Sequence, residues 1–206
     1  MVKRAGPIVL AAFLLTGCGA HSIQELKGGE ELKGGGHAAH GPARASGGTA
    51  VPGRDYNPAD VMFLQMMMAH NGQGVRLARL APDRATREEV RTLAAAIATT
   101  QETEAASMSE RLIGWRQPAT ARADEHAAHG GMPGVGEEEI AAVADAAPAD
   151  FEKKFLNMMI AQQDDAIQLA RMEVATGLNA EVKAMAERVD ASRSAQIKQM
   201  LALLDQ

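Results

Sequence analysis

Residues 63–79, FLQMMMAHNGQGVRLAR, and residues 155–171, FLNMMIAQQDDAIQLAR, are one segment written twice at an offset of 92, with eight of seventeen positions identical. The offset continues downstream without a gap: Val90 falls on Val182, Leu93 on Met185, Ile97 on Val189, Met108 on Met200 and Leu112 on Leu204. A motif followed by a second helical pattern, twice over, is the mark of a duplicated helical hairpin. What differs between the copies is polar. His70-Asn71 in the first becomes Gln162-Gln163 in the second, behind the same Met-Met pair.

Working outward, Asn57-Pro58 is a cap and first-turn pair, and Phe63, Met66, Met67, His70, Gly74 and Leu77 recur at helical steps, predicting a first helix over about 58–81 that stops before Pro82. Thr86 with Glu89 three residues later reads as a capping box for a second helix ending near Gly114. Residues 116–136 read as loop, with a short helix over Glu137–Ala146 ended by Pro148. A third helix is expected over about 149–175 with Gly177 as its stop, and a fourth over about 179–204. No useful stretch alternates with a period of two, so strands are not expected. The expected fold is all-α: an antiparallel four-helix bundle at residues 55–206, made of hairpin one (57–115), a loop with a short helix (116–148) and hairpin two (149–206).

The first residues carry Lys3 and Arg4, then an apolar run from Ile8 to Leu15, the pattern of a secretory signal over residues 1–17. Its Leu15-Thr16-Gly17-Cys18 ending resembles the lipobox of bacterial lipoproteins, which implies a lipid on Cys18 and anchorage to the outer face of the cell membrane, or in the periplasm or outer membrane. Cys18 is the sole cysteine, so disulfides and thiolate chemistry are not expected in the mature chain. Residues 18–54, with ELKGG written twice, read as a flexible linker. The net charge is -5, and -7 once Lys3 and Arg4 are removed, which disfavours nucleic acid as a partner. Aromatic residues make up 3% of the chain while methionine numbers 12, so methionine must carry packing, chemistry or both.

Met66, Met67 and His70 share one face of the first helix, and Gln101, Glu104 and Met108 share one face of the second. Thioether with imidazole is a soft donor set suited to Cu(I) or Ag(I). A methionine stripe at helical spacing is also what an ordinary core looks like. A second candidate is the pentapeptide HAAHG, present as His37 to Gly41 and His126 to Gly130; His37 with His40, and His126 with His129, could chelate Cu(II) or Zn(II). An enzyme is not expected. The chain lacks the Glu-x-x-His of di-iron bundles, a GxSxG elbow and a phosphate-binding GK[ST] loop.

FLxMMxxH at Phe63 to His70, QxxE with a methionine four residues later at Gln101 to Met108, MPG at Met132 to Gly134 and the repeated FLxMM at Phe155 to Met159 together resemble domain-of-unknown-function family 305. The resemblance spans residues 55–204 and implies a ferritin-like bundle, often exported or lipid-anchored, with some relatives associated with copper binding outside the cytoplasm. The family motif reads Met-x-x-His-His in both halves; here only His70 of the four histidines remains, and Leu77 and Leu169 stand at later methionine positions. The QxxE counterpart in the second half reads Arg193 and Gln196. Two readings follow: a metal-sequestering lipoprotein with an asymmetric site centred on His70, or a bundle without metal that serves as a module for a protein partner not identified by the sequence or for the envelope.

Overall fold

Asn57 begins the first helix as anticipated: its side chain accepts from the Asp60 amide at 3.0 Å while the Asp60 carboxylate accepts from the Asn57 amide at 2.6 Å, a reciprocal cap. The structure, a computed structural model, describes residues 54–120 and 134–206, which lie within the unit Ala45–Gln206. Residues 1–17, read above as a signal, Cys18, His37 and His40, and His126, His129 and Met132 lie outside the described residues.

The helices are α1 (Pro58–Ala78), α2 (Ala81–Arg84), α3 (Glu88–Gly114), α4 (Glu137–Ala144), α5 (Pro148–Thr176) and α6 (Ala180–Leu204), with no strand among the described residues. None of them is long and apolar enough to cross a membrane. Two local expectations are corrected. Pro82 does not merely close α1; it sits in the first turn of α2, where its missing N–H leaves nothing unpaired. Pro148 likewise starts α5. Gly177 ends α5 as expected, at φ -65; a Cβ there would collide with the Glu173 side chain and stand 2.8 Å from its carbonyl oxygen.

The expected Thr86–Glu89 box is absent as well. No side chain of its own caps α3. Instead Glu152, from the start of α5, accepts from the amides of Thr86 at 2.6 Å and Arg87 at 2.7 Å, the Thr86 hydroxyl at 2.8 Å and the Arg87 guanidinium at 2.5 Å. Asp60 does the same for α6, accepting from the amides of Leu178 at 3.1 Å and Asn179 at 2.9 Å. Asp60 and Glu152 are themselves 92 apart, as are the residues they cap. Each half therefore supplies a carboxylate to a helix start of the other. A carboxylate in contact with free amides at a helix start is favoured by hydrogen bonding and by the helix dipole together.

α1 packs on α3, α5 on α6, and α1 on α5. Along the first pair the contacts run in opposite senses: Arg79 meets Glu102, Asn71 meets Glu104, and the Tyr56 ring stacks on Trp115 at 4.0 Å. The apolar core falls into two clusters. One joins Phe63, Leu64, Met66, Met67, Met108 and Leu112 to Val182, Ala186 and Val189 of α6. The other joins Phe155, Leu156, Met159 and Met200 to Val90, Ala94 and Ile97 of α3. The offset of 92 carries either cluster onto the other, which explains why the apolar positions persist in both copies: burying each large side chain contributes roughly 1.5–3 kcal/mol.

Candidate metal centre

On every long helix the residues of one apolar cluster give way to those of the other across a short polar stretch: His70-Asn71 on α1, Gln101 and Glu104 on α3, Gln162-Gln163 on α5, Arg193 and Gln196 on α6. His70, Asn71, Gln101, Gln162, Gln163 and Arg193 are fully buried. Buried polar groups must find partners. Here they find one another by a rule that the repeat dictates.

His70 Nε2 lies 2.8 Å from the carbonyl oxygen of Gln162, and Gln162 Nε2 donates to the carbonyl oxygen of His70 at 3.1 Å. Asn71 donates to Glu104 at 3.1 Å, and Gln163 donates to Gln196, its counterpart pair. Gln101 donates to Gln163 Oε1 at 3.3 Å, and Arg193 donates to Asn71 Oδ1 at 3.3 Å, again the same contact carried across the repeat. The third type of contact breaks the symmetry in charge. Arg193 also forms an ion pair with Glu104, its side chain fully buried and that of Glu104 18% exposed, whereas the equivalent Gln101 and Gln196 are neutral.

Facing a carbonyl, His70 Nε2 must carry a proton, which leaves Nδ1 as the second polar edge of the ring. That edge faces Gly134, where a Cβ would stand 2.9 Å from Nδ1; the φ of 132 at this position also selects glycine. The buried Gln73 Oε1, one turn on, faces the same glycine and receives no hydrogen bond from a described residue. A histidine whose Nε2–H is held by a backbone carbonyl is oriented in the manner of metal-ligating histidines.

The candidate residues fall in two adjacent layers. Met66, Met67 and Met108 are buried in one apolar cluster. His70 and Glu104 lie in the polar layer beside it. Of the second-copy methionines, Met159 and Met200 are buried in the other cluster, with Met158 partly buried against it. Among the described residues no three His, Cys, Asp or Glu side chains gather as a metal would require. The donors in hand are therefore thioethers with one imidazole, a set that fits a soft monovalent ion and fits a hard divalent one poorly.

Sequence reasoning missed three charged groups. In the sequence Arg193 reads only as a lost glutamine; burial pushes its guanidinium below the usual range while Glu104 opposes that shift. Glu152 is half-buried, which alone would raise its carboxyl, but the Arg87 and Thr86 donors outweigh burial and hold it at about 2. Glu173 is 1% exposed and neither oxygen receives a hydrogen bond from a described residue; burial first, and then the neighbouring Asp60, push it to about 8. The offset of 92 from Asp60 was a signal for Glu152. Nothing comparable marked Glu173, whose counterpart is Ala81.

A helical domain built from two related halves around a polar layer is the class that fold and site define. The chain belongs to the family described as domain of unknown function (DUF305), which it matches over residues 60–204. It is similar to a DUF305 fragment from Deinococcus radiodurans (26% identity, TM-score 0.65, covering 74% of this chain and 99% of that one) and to a DUF305 protein from Streptomyces coelicolor (28%, TM-score 0.66, 71% and 92%). It is also similar to CopM in its Cu(I)-bound form (25%, TM-score 0.59, 71% and 95%). No curated protein matches.

Proposed function

We propose that this protein sequesters Cu(I) or Ag(I) outside the cytoplasm, held to a membrane by lipid on Cys18, and that it binds metal without catalysing a reaction. In this reading the four long helices form an antiparallel, ferritin-like four-helix bundle. The observation that carries the proposal is the burial of Met66, Met67 and Met108 in one cluster next to His70, whose Nε2 is held by the Gln162 carbonyl. Thioether sulfur and imidazole nitrogen would hold a soft ion there, and water exclusion by the surrounding apolar side chains would favour it over aqueous ions. The similarity to CopM, a protein described in a Cu(I)-bound form, supports the choice of metal.

The deciding experiment is titration of the purified protein with Cu(I) against a competing chelator. A His70→Ala, Met67→Leu double variant should lose at least tenfold in affinity; unchanged affinity sinks the core site, and loss only on replacing His37, His40, His126 and His129 moves binding to the HAAHG loops.

A second reading, a module for a protein partner or the envelope that holds no metal, is favoured by the buried Arg193 cation in the polar layer. Purification without metal above background, with full folding in chelator, selects it.

A further inference from the structure

We propose that Arg193 determines metal selectivity in the polar layer: its guanidinium occupies the cation position beside Glu104 and keeps divalent ions off that carboxylate. Glu104 and Asn71 Oδ1 both accept from the same guanidinium nitrogen, Nη2 of Arg193, so two oxygen donors on different helices converge on one point already filled by a cation. The other two guanidinium nitrogens, Nε and Nη1, have no hydrogen-bond partner among the described residues. An arginine this poorly satisfied is not placed for optimal hydrogen bonding. What it does satisfy is the charge on Glu104.

The repeat shows that the charge is supplied across the halves. Residue 101, the counterpart of Arg193, is Gln, and residue 196, the counterpart of Glu104, is Gln. The carboxylate belongs to the first copy, the cation to the second, and neither appears where it would lack the other. A divalent ion approaching Glu104 would meet a guanidinium in a site of low dielectric, where repulsion between like charges is strong. Soft ions held by sulfur in the neighbouring cluster need no carboxylate and do not compete for this point.

The test uses Co(II), which favours oxygen and nitrogen donors and reports coordination by its visible bands, added to the full chain. Arg193→Gln should bind Co(II) at least tenfold more tightly than the wild type, and a Glu104→Gln, Arg193→Gln double variant should return to the wild-type level. Arg193→Lys, which keeps the charge, should not gain. If Arg193→Gln unfolds without metal, recovery of its helical circular dichroism on adding Co(II) is the expected result. A folded Arg193→Gln that binds no more Co(II) than the wild type, a gain that survives in the double variant, or an unfolded variant that Co(II) does not rescue would each overturn the proposal. Cu(I) binding is not part of this readout, so its absence would count against the sequestration reading alone.

Discussion

His70 and Gln162, equivalent residues of the two halves, each direct a side-chain nitrogen to the other's main-chain carbonyl oxygen, at 2.8 and 3.1 Å. These are carbonyls within helices α1 and α5, so the pair stitches the two halves together at mid-height. It also gives the drift of the motif a physical limit. A residue at either position must place a donor on the facing carbonyl, which both imidazole and a primary amide can do.

His70→Gln should therefore be tolerated, costing about 1 kcal/mol, because an amide can reproduce the bond. His70→Ala should cost roughly 3 kcal/mol, adding a cavity in a fully buried layer to the lost hydrogen bond. Urea unfolding of the two variants checks this. Equal losses would mean that the Gln162 contact contributes nothing.

Gly74 stands against the same layer, and its counterpart is Ala166. Helix propensity alone predicts that Gly74→Ala stabilises α1 by about 1 kcal/mol. A Cβ at Gly74, however, would overlap the Gln101 amide oxygen and stand 2.5 Å from Gln162 Nε2. Both side chains are buried, and each donates through its amide nitrogen, Gln101 to Gln163 and Gln162 to the His70 carbonyl, so the displacement should outweigh propensity, leaving the variant roughly 1–2 kcal/mol less stable. A raised melting temperature would show that the glutamines can move aside.

Glu152 should be a costly carboxylate to lose. Its charge accepts from Thr86 and Arg87 at the start of α3, which has no side-chain cap of its own, and Glu152→Gln should cost about 2 kcal/mol at pH 7. The folded carboxyl titrates at about 2, against 4.5 for the ordinary group. Its contribution is thus present above about pH 4.5 and lost as pH falls toward 2. Chemical denaturation at pH 7 and pH 3 should show the gap between wild type and variant narrowing in acid.

These residues also mark how far the sequence could be read. The repeat exposed the helices and both halves of the core because apolar spacing is local, and Phe63, Met67 and Met108 are buried alongside one another as that spacing implies. The helix starts were less legible. Thr86 and Glu89 look like a self-contained box, yet the donors at Thr86 and Arg87 bond to Glu152, 66 and 65 residues away, and only the tertiary fold brings that carboxylate there. Arg193 was obscured for the same reason. A charged residue on an inward face reads as a damaged motif until its partner Glu104, 89 positions earlier, is placed beside it. His70 was visible as an inward histidine, but its orientation depends on a carbonyl of the other half, which no spacing discloses.

Glu173 gives a prediction that runs opposite in pH to Glu152. Its buried carboxyl lies near Asp60, which is held as an acceptor by the amides of Asn57, Leu178 and Asn179, so the proton resides on Glu173. The folded state keeps that proton up to about pH 8, whereas the unfolded chain releases it near 4.5. Between these values the folded state binds one more proton, and stability falls as pH rises, at most about 1.4 kcal/mol per unit for a single proton. Glu173→Gln keeps the size of the side chain and cannot ionise. Relative to wild type it should gain steadily from pH 5 to pH 8, the difference reaching about 1–3 kcal/mol. Urea midpoints for both proteins across that range test it, and curves that stay parallel would show that Glu173 titrates as an ordinary carboxyl.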